Sequence, residues 1–257
     1  MNLTKNTILI TGGSSGIGFQ MAKEFLANKN KVIITGRKMD KLNEAKKKLG
    51  DVTIIQSDVS NPDSIKELHI QISKDFPDLN VLINNAGVML SINLQKHNLS
   101  ASELTKEIDI NLKGTIWMND AFLPLLKKNK NAATVTVSSG LAFVPLPISP
   151  IYCSAKAALH SYTLSLRAQL KNTGVKVFEL APPATETELL ADFNQEDMKG
   201  IATMKVQAMV ADFLKGFSND KFEICPGQSS QLKFMSRFFP DFILKQMSKA
   251  VDRMHAN

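Results

Sequence analysis

Six short runs of β-branched and aliphatic residues recur along this chain, each followed by a longer stretch of helical spacing. They are TILIT (7–11), KVIIT (31–35), VTII (52–55), NVLIN (80–84), ATVTVS (133–138) and VKVFEL (175–180). Their apolar character is nearly unbroken, which suits strands covered on both faces rather than strands with one wet side. Between them, Leu104, Ile108, Leu112 and Ile116, or Leu159, Tyr162, Leu166 and Leu170, mark one side of a helix. This alternation predicts an α/β fold, a doubly wound parallel sheet with right-handed crossovers. No repeat, low-complexity tract or linker divides residues 1–257, which read as a single domain. FEIC (222–225) reads as a further strand, and a basic, Phe- and Met-rich helical extension follows over 227–257.

Composition narrows the classes. Hydrophobic residues at 44% and charged residues at 21% are ordinary for a globular chain and do not indicate disorder. The formal charge of +7 favours anionic ligands. No recognition motif accompanies it, so nucleic acid is not expected as a partner. Cys153 and Cys225 form no disulfide framework, and His69, His97, His160 and His255 form no ligand pattern, so no metal is expected. The start MNLTKNTILITGG is too short and polar for a signal peptide, and no apolar run approaches the ~18 residues that span a bilayer. A soluble, cytoplasmic protein is the expectation.

The first strand runs into TGGSSGIG, where Gly12, Ser14, Ser15, Gly16, Ile17 and Gly18 lead straight into helical spacing. Glycines there let the backbone turn and approach a pyrophosphate, and the helix aims its N-terminus at the negative charge. A dinucleotide site of Rossmann type is therefore expected. An NAD-selective site would place an acid after the second strand; this chain has Arg37 and Lys38, and its first acid is Asp40. A guanidinium suits a 2′-phosphate, so NADP(H) is the preferred cofactor and NAD(H) remains admissible. The alternative for the pair is a solvated basic turn. Asp58, with Val59 beside it, is placed either to meet the adenine or to cap the next helix, for which Ser60 and Asn61 stand better. In NNAG (84–87), Asn85, Ala86 and Gly87 are small residues at the sheet edge, read either as a wall for a flat ligand or as a simple turn.

SPIYCSAK carries the chemistry. Ser149 and Pro150 open a helix running to about Lys171, which puts Tyr152 and Lys156 one turn apart on one face. An ammonium and the helix dipole are two features able to lower a phenol pKa from its ordinary ~10 toward acid–base use. The strand ATVTVSSG ends at the same edge and brings Ser138 or Ser139 alongside, where a hydroxyl can hold a substrate oxygen.

These motifs resemble those of the classical short-chain dehydrogenase/reductase family over about residues 5 to 226. TGGSSGIG fits its TGxxxGxG, NNAG its fourth-strand motif and YCSAK its YxxxK. The resemblance selects Ser139 and adds Asn111, in DINLKG, so that Asn111, Ser139, Tyr152 and Lys156 form a catalytic tetrad. It implies that Tyr152 is the acid–base and that Ser139 holds the carbonyl oxygen. Lys156 lowers the tyrosine pKa and holds the nicotinamide ribose, and Asn111 anchors a proton-relaying water. Ser138 becomes a cofactor-side or packing residue, and Cys153 a buried small one. LAPPATETEL departs from the family, with Pro183 where a glycine is usual. Proline excludes positive φ there, while Pro182, Thr185 and Thr187 keep cofactor-side positions. The double proline and the 152–170 helix resemble the DltE-like branch, whose name points to teichoic-acid D-alanylation loci without naming a substrate.

Met89, Leu90, Leu141, Phe143, Val144, Leu146, Leu189, Leu190 and Phe193 predict an apolar pocket suited to a ketone or aldehyde. Residues 185–217 are expected to cover it, with Gly200 as hinge. The tail is read as packing on its own or a neighbouring subunit in preference to a membrane surface, and the resemblance implies a homodimer or homotetramer. The rival readings are a dinucleotide-binding regulator without turnover, and an epimerase or dehydratase of the extended relatives.

Overall fold

The structure is a computed structural model and describes residues 1–190, 193 and 201–256; Gly200, the expected hinge, lies outside them. Strands β1 (Thr7–Thr11), β2 (Lys31–Gly36), β3 (Thr53–Gln56), β4 (Val81–Asn84), β5 (Ala132–Val137), β6 (Val175–Leu180) and β7 (Glu223–Ile224) form one sheet. Their order is β3-β2-β1-β4-β5-β6-β7, and every neighbouring pair is parallel. β1 lies between β2 and β4, with Ile8 in register with Val32 on one side and Val81 on the other. The winding reverses between β1 and β4, and in such sheets a ligand crevice opens at the carboxyl ends beside that point.

Both faces are dry. Ile8, Ile10, Phe25, Phe178, Phe213 and Phe217 belong to one core, where α1 (Gly16–Ala27), α2 (Met39–Leu49) and α7 (Val206–Ser218) cover the sheet. Leu9, Ile33, Leu82, Ile72, Phe122 and Leu166 belong to the other, under α3 (Pro62–Asp75), α5 (Gly114–Leu126) and α6 (Pro150–Gln169). Residues 8, 9 and 10 thus feed alternate faces, which is why the runs look continuously apolar. The tail forms α8 (Gln228–Phe238) and α9 (Pro240–Ala256), with Pro240 opening the second helix.

Two local expectations are corrected. After α4 (Ala101–Glu107) the backbone makes a π-helical turn over Ile108–Lys113 before α5 begins. One extra residue per turn rotates the buried face. Leu104, Ile108, Leu112 and Ile116 are therefore only half-buried, while Glu107, Ile110, Asn111, Thr115 and Met118 are buried. Of the expected cover, residues 206–217 lie in α7, whose Met209, Val210, Phe213 and Phe217 are fully buried.

The rings of Phe213 and Phe217 meet Phe25 of α1 edge-on at 6.3 and 6.2 Å. Phe25→Ala should lower unfolding free energy by about 3–5 kcal/mol, read as the urea midpoint shift at constant slope. A loss below about 1 kcal/mol would contradict a rigid α1–α7 contact.

Candidate active site

The glycine loop is pressed against the end of β4. Gly12 has φ +64°, and a Cβ there would meet Ala86 Cα at 2.8 Å. A Cβ on Gly18 would meet Gly12 O at 2.4 Å and Asn85 Nδ2 at 2.5 Å. Thr11 Oγ1 accepts the Asn85 and Ala86 N–H groups, both at 3.0 Å. Asn85 Nδ2 donates to Thr11 O and Gly12 O, both at 3.0 Å. The Asn85 amide is therefore spent on shaping the loop. α1 starts with no side-chain cap and no acid in its first turn, so its leading N–H groups are left for an anion. Gly12, Ser14, Ser15, Gly16 and Ile17 line the cavity described below; Gly18 stands behind it, where only a glycine fits.

Arg37 and Lys38 line the same cavity at the end of β2, and neither pairs with a carboxylate among the described residues. Lys41 of α2, which lies 3.6 Å from Glu44 Oε2, joins them, a third cation that sequence reading missed although it stands four residues after Arg37. Ser57, whose N–H bonds Gly36 O at 3.1 Å, and Val59 line the cavity as well, whereas Asp58 does not. Its Oδ1 accepts from Ser60 N at 2.9 Å and Ser60 Oγ at 2.7 Å, while Asn61 caps α3.

Tyr152, Ser139 and Lys156 meet where β5 ends and α6 begins, and all three are buried and face the cavity. Lys156 Nζ donates to Val137 O at 2.9 Å and lies 5.5 Å from the Tyr152 ring centroid. Burial pushes the Tyr152 phenol up; the neighbouring Ser139 hydroxyl pulls it down, and Cys153 and Glu107 push it up. Burial lowers Lys156 to about 8. Burial is the largest influence on the phenol, and in the protein by itself it acts against the lowering expected from an ammonium and the helix dipole. Asn111 does not line the cavity. Its Oδ1 accepts Val88 N and its Nδ2 donates to Val88 O, both at 2.9 Å, and its own carbonyl accepts Thr115 Oγ1 at 3.0 Å. The π-helical turn sets it at that position, directly behind Gly87, where a Cβ would lie 3.0 Å from Asn111 Oδ1.

Two buried carboxylates behind the site were not visible in the sequence. Glu107 is fully buried; its Oε1 accepts the Leu90 N–H at 2.8 Å, and its Oε2 has no partner among the described residues. The same carboxylate lies by the backbone N–H of Tyr152, in the first turn of α6. Ser149 occupies the N-cap position expected of it, but its side chain caps nothing. Burial raises Glu107 to about 7, against the pull of the two N–H groups. Glu179, on β6, accepts Ser138 Oγ at 2.6 Å and bonds His160 Nδ1 at 2.8 Å. That bond raises His160. The fold also brings Glu223 close, so that donor atoms of His160, Glu179 and Glu223 lie within 4.8 Å of one another, a grouping no sequence spacing suggests. Lys233 pairs with Glu223 and supplies a cation there. Cys153 is buried, its thiol raised to about 11 by burial and bonded to Leu146 N at 3.2 Å.

The cavity measures about 630 Å³. Ala86, Gly87, Pro182, Pro183, Thr185 and Thr187 line its middle. Pro183 is accommodated, its carbonyl accepting Thr185 Oγ1 at 2.8 Å, and Pro182 O accepts Gly140 N at 2.8 Å. Thr187 overhangs the glycine loop: a Cβ on Gly16 would be 3.3 Å from it. The far end is apolar, lined by Met89, Leu90, Leu141, Leu146, Leu189, Leu190 and Phe193, with Leu232 of α8 and Met247 of α9 as additions. Phe143 and Val144 do not reach it; Phe143 packs on His160 instead.

Residues 6–198 match the family model described as short chain dehydrogenase, and the chain belongs to that family. It is 39% identical over 250 residues to the uncharacterized oxidoreductase DltE of Bacillus subtilis (strain 168), covering 96% of this chain and 98% of that one. An uncharacterized oxidoreductase of Staphylococcus saprophyticus is 33% identical over 202 residues, covering 77% of this chain and 81% of that one. Among solved structures, a Burkholderia cenocepacia short chain dehydrogenase in complex with NADP superposes with a TM-score of 0.83. It is 22% identical, and 96% of this chain and 99% of that one are covered. A Burkholderia phymatum relative in complex with NAD gives 0.81 at 20% identity, covering 91% and 93%. The protein is thus an NAD(P)-dependent oxidoreductase of the short-chain class, resembling the DltE branch as its motifs implied.

Glu107 makes a test of this buried layer. Its folded pKa, near 7, stands above the ordinary 4.5, so the folded state holds the extra proton between those values. Stability should then fall as pH rises through that window, by roughly 3 kcal/mol in all. Glu107→Gln should flatten that slope in thermal melts between about pH 5 and 7; an unchanged slope would show that another group titrates.

Proposed function

We infer that this oxidoreductase is an NADPH-preferring carbonyl reductase or alcohol dehydrogenase acting on apolar substrates. One observation carries the reading: a single cavity has unpaired cations at one end, an apolar wall at the other, and Tyr152, Ser139 and Lys156 between them.

The residues fit a dinucleotide. The backbone approach at Gly12 leaves a cradle that a Cβ would fill, and the uncapped start of α1 suits a pyrophosphate. Gly12, Ser14, Ser15, Gly16 and Ile17 would hold the phosphates, with Gly18 allowing the turn. Arg37 and Lys38, joined by Lys41, would hold a 2′-phosphate. Val59, with Asp58 behind it, would border the adenosine. Asn85, Ala86, Gly87, Lys156, Pro182, Thr185 and Thr187 would border the nicotinamide half. Such a cofactor, when bound, supplies or accepts the hydride.

The chain's own residues handle the proton. Ser139 holds the carbonyl oxygen by a hydrogen bond. Tyr152, kept neutral by burial, gives its proton to that oxygen as it becomes an alkoxide: the phenol O–H breaks and the alcohol O–H forms. The ammonium of Lys156 stabilises the phenolate left behind, since unlike charges in a dry site interact strongly. Asn111 acts by fixing the Val88 backbone and hence the wall behind Gly87. Residues 185–190, 193 and 201 serve as cover, with α8 and α9 closing the apolar end.

Tyr152→Phe should reduce turnover of an apolar ketone by about a hundredfold to ten-thousandfold, with cofactor affinity within a few-fold. Normal turnover would refute the assigned acid. Arg37→Ala should weaken NADPH by roughly ten- to a hundredfold in a fluorescence titration and leave NADH nearly unchanged. Equal losses would refute the 2′-phosphate contact.

A further inference from the structure

The C-terminal hairpin has apolar side chains on both of its faces. Inward, Leu232 and Met247 line the cavity and Ala250 is buried in the same apolar cluster as Tyr152 and Cys153. Outward, Phe234, Phe238, Phe239, Phe242 and Leu244 are between 41% and 59% exposed. They occupy the end of α8, the turn and the start of α9, so they gather at one tip of the molecule. Phe234 and Phe238, one turn apart, stack with centroids at 4.8 Å. Scattered single apolar residues are normal on a surface, whereas a cluster of this kind marks something that covers it.

The charges beside the cluster indicate what does. Arg237, Lys245 and Lys249 are exposed, and none pairs with a carboxylate among the described residues. The acids of the hairpin are Asp241 and Asp252. Lys233, turned inward, is engaged with Glu223 and lies 5.3 Å from the Phe143 ring centroid, so it is not part of this outer set. Phenylalanines interleaved with unpaired cations have the composition of an element lying in a bilayer interface, rings in the headgroup–acyl boundary and cations on the lipid phosphates.

We propose that the tip of this hairpin docks on the surface of an anionic lipid bilayer, with Phe238, Phe239 and Phe242 inserted and Arg237, Lys245 and Lys249 on the headgroups. The chain's own body does not cover the rings. A second copy fits the charges poorly: a two-fold contact brings the same set to both sides, and Arg237, Lys245 and Lys249 outnumber Asp241 and Asp252, so cations stay in excess within a drying interface. An anionic surface takes all of them with one sign, and the formal charge of +7 on the whole chain adds in the same direction. No helix among the described residues is long and apolar enough to cross a membrane, so the contact is peripheral.

The inner face of the same hairpin closes the apolar end of the cavity. A carbonyl compound partitioned into the bilayer is accordingly the substrate class that such docking favours. This consequence rests on the reductase reading; the docking itself does not.

The test is co-sedimentation of the full chain with phosphatidylglycerol–phosphatidylcholine vesicles and with phosphatidylcholine vesicles. Sedimentation velocity without lipid and NADPH titration run alongside. Binding should favour the anionic vesicles by about a hundredfold and weaken with salt. Phe238→Ser combined with Phe242→Ser should cut it tenfold or more at unchanged charge, with the same sedimentation coefficient and NADPH affinity. Arg237→Gln with Lys245→Gln should remove most of the preference for anionic lipid. Undiminished binding by the phenylalanine variant would mean charge attraction alone and overturn the proposal. So would a lack of binding, or a wild-type dimer that this variant dissociates, since the rings would then be an interface between copies. Vesicle binding without NADPH binding would defeat the reductase reading and leave the docking standing.

Discussion

Thr11 and Asn85 join the ends of β1 and β4 so closely that no side chain fits between the two backbones. The winding reverses at this point, and only there can the sheet's carboxyl edge open into a crevice. The glycines follow from that approach: Gly12 must take a left-handed φ, and Gly18 must present bare backbone to Gly12 O. The start of α1 is thereby held against the crevice with its N–H groups unfilled. Arg37 at one end of the cavity and Tyr152 toward its middle are positioned relative to that knot by the strands flanking it.

Around this centre the protein carries a set of buried polar groups. Tyr152, Lys156, Asn111, Glu107 and Glu179 are all withdrawn from water. Desolvation raises the phenol, raises the Glu107 carboxyl and lowers the lysine, so each moves toward its neutral form. A neutral phenol is the form that gives up a proton, and a charge created beside it in a dry pocket is felt strongly by Lys156. Glu107 also holds the cavity wall at Leu90 and lies by the first turn of α6, which carries the proton donor. Ser138, Glu179 and His160 make a second such tie one strand further along.

The tail shows how one element serves two surfaces. A hairpin whose inner residues fill the mouth of a cavity needs little of its outer face for folding, and that face is then free to carry rings and cations. Pro240 supports this by ending one helix and opening the next, which sets Phe238 and Phe239 at the turn.

Much of this was legible in the residues themselves. Continuous apolar runs specified strands because both faces of this sheet are dry, and TGGSSGIG declared its turn because glycine alone tolerates that backbone. The spacing of Tyr152 and Lys156 is local and survived folding as one turn of α6. Other features depend on contacts between distant segments. The π-helical turn reversed the apparent apolar face of 104–116, Asn111 turned to Val88, and the last third of the expected cover became the core helix α7. Glu107 looks in sequence like any surface glutamate, and only the packing of α4 against α6 buries it. The sequence by itself determined the order of strands and helices and the residue types offered to a cofactor, because backbone sterics and helical period act over a few residues. Tertiary structure alone decided which groups lost their water, and hence their pKa values and partners, because desolvation is set by neighbours far along the chain.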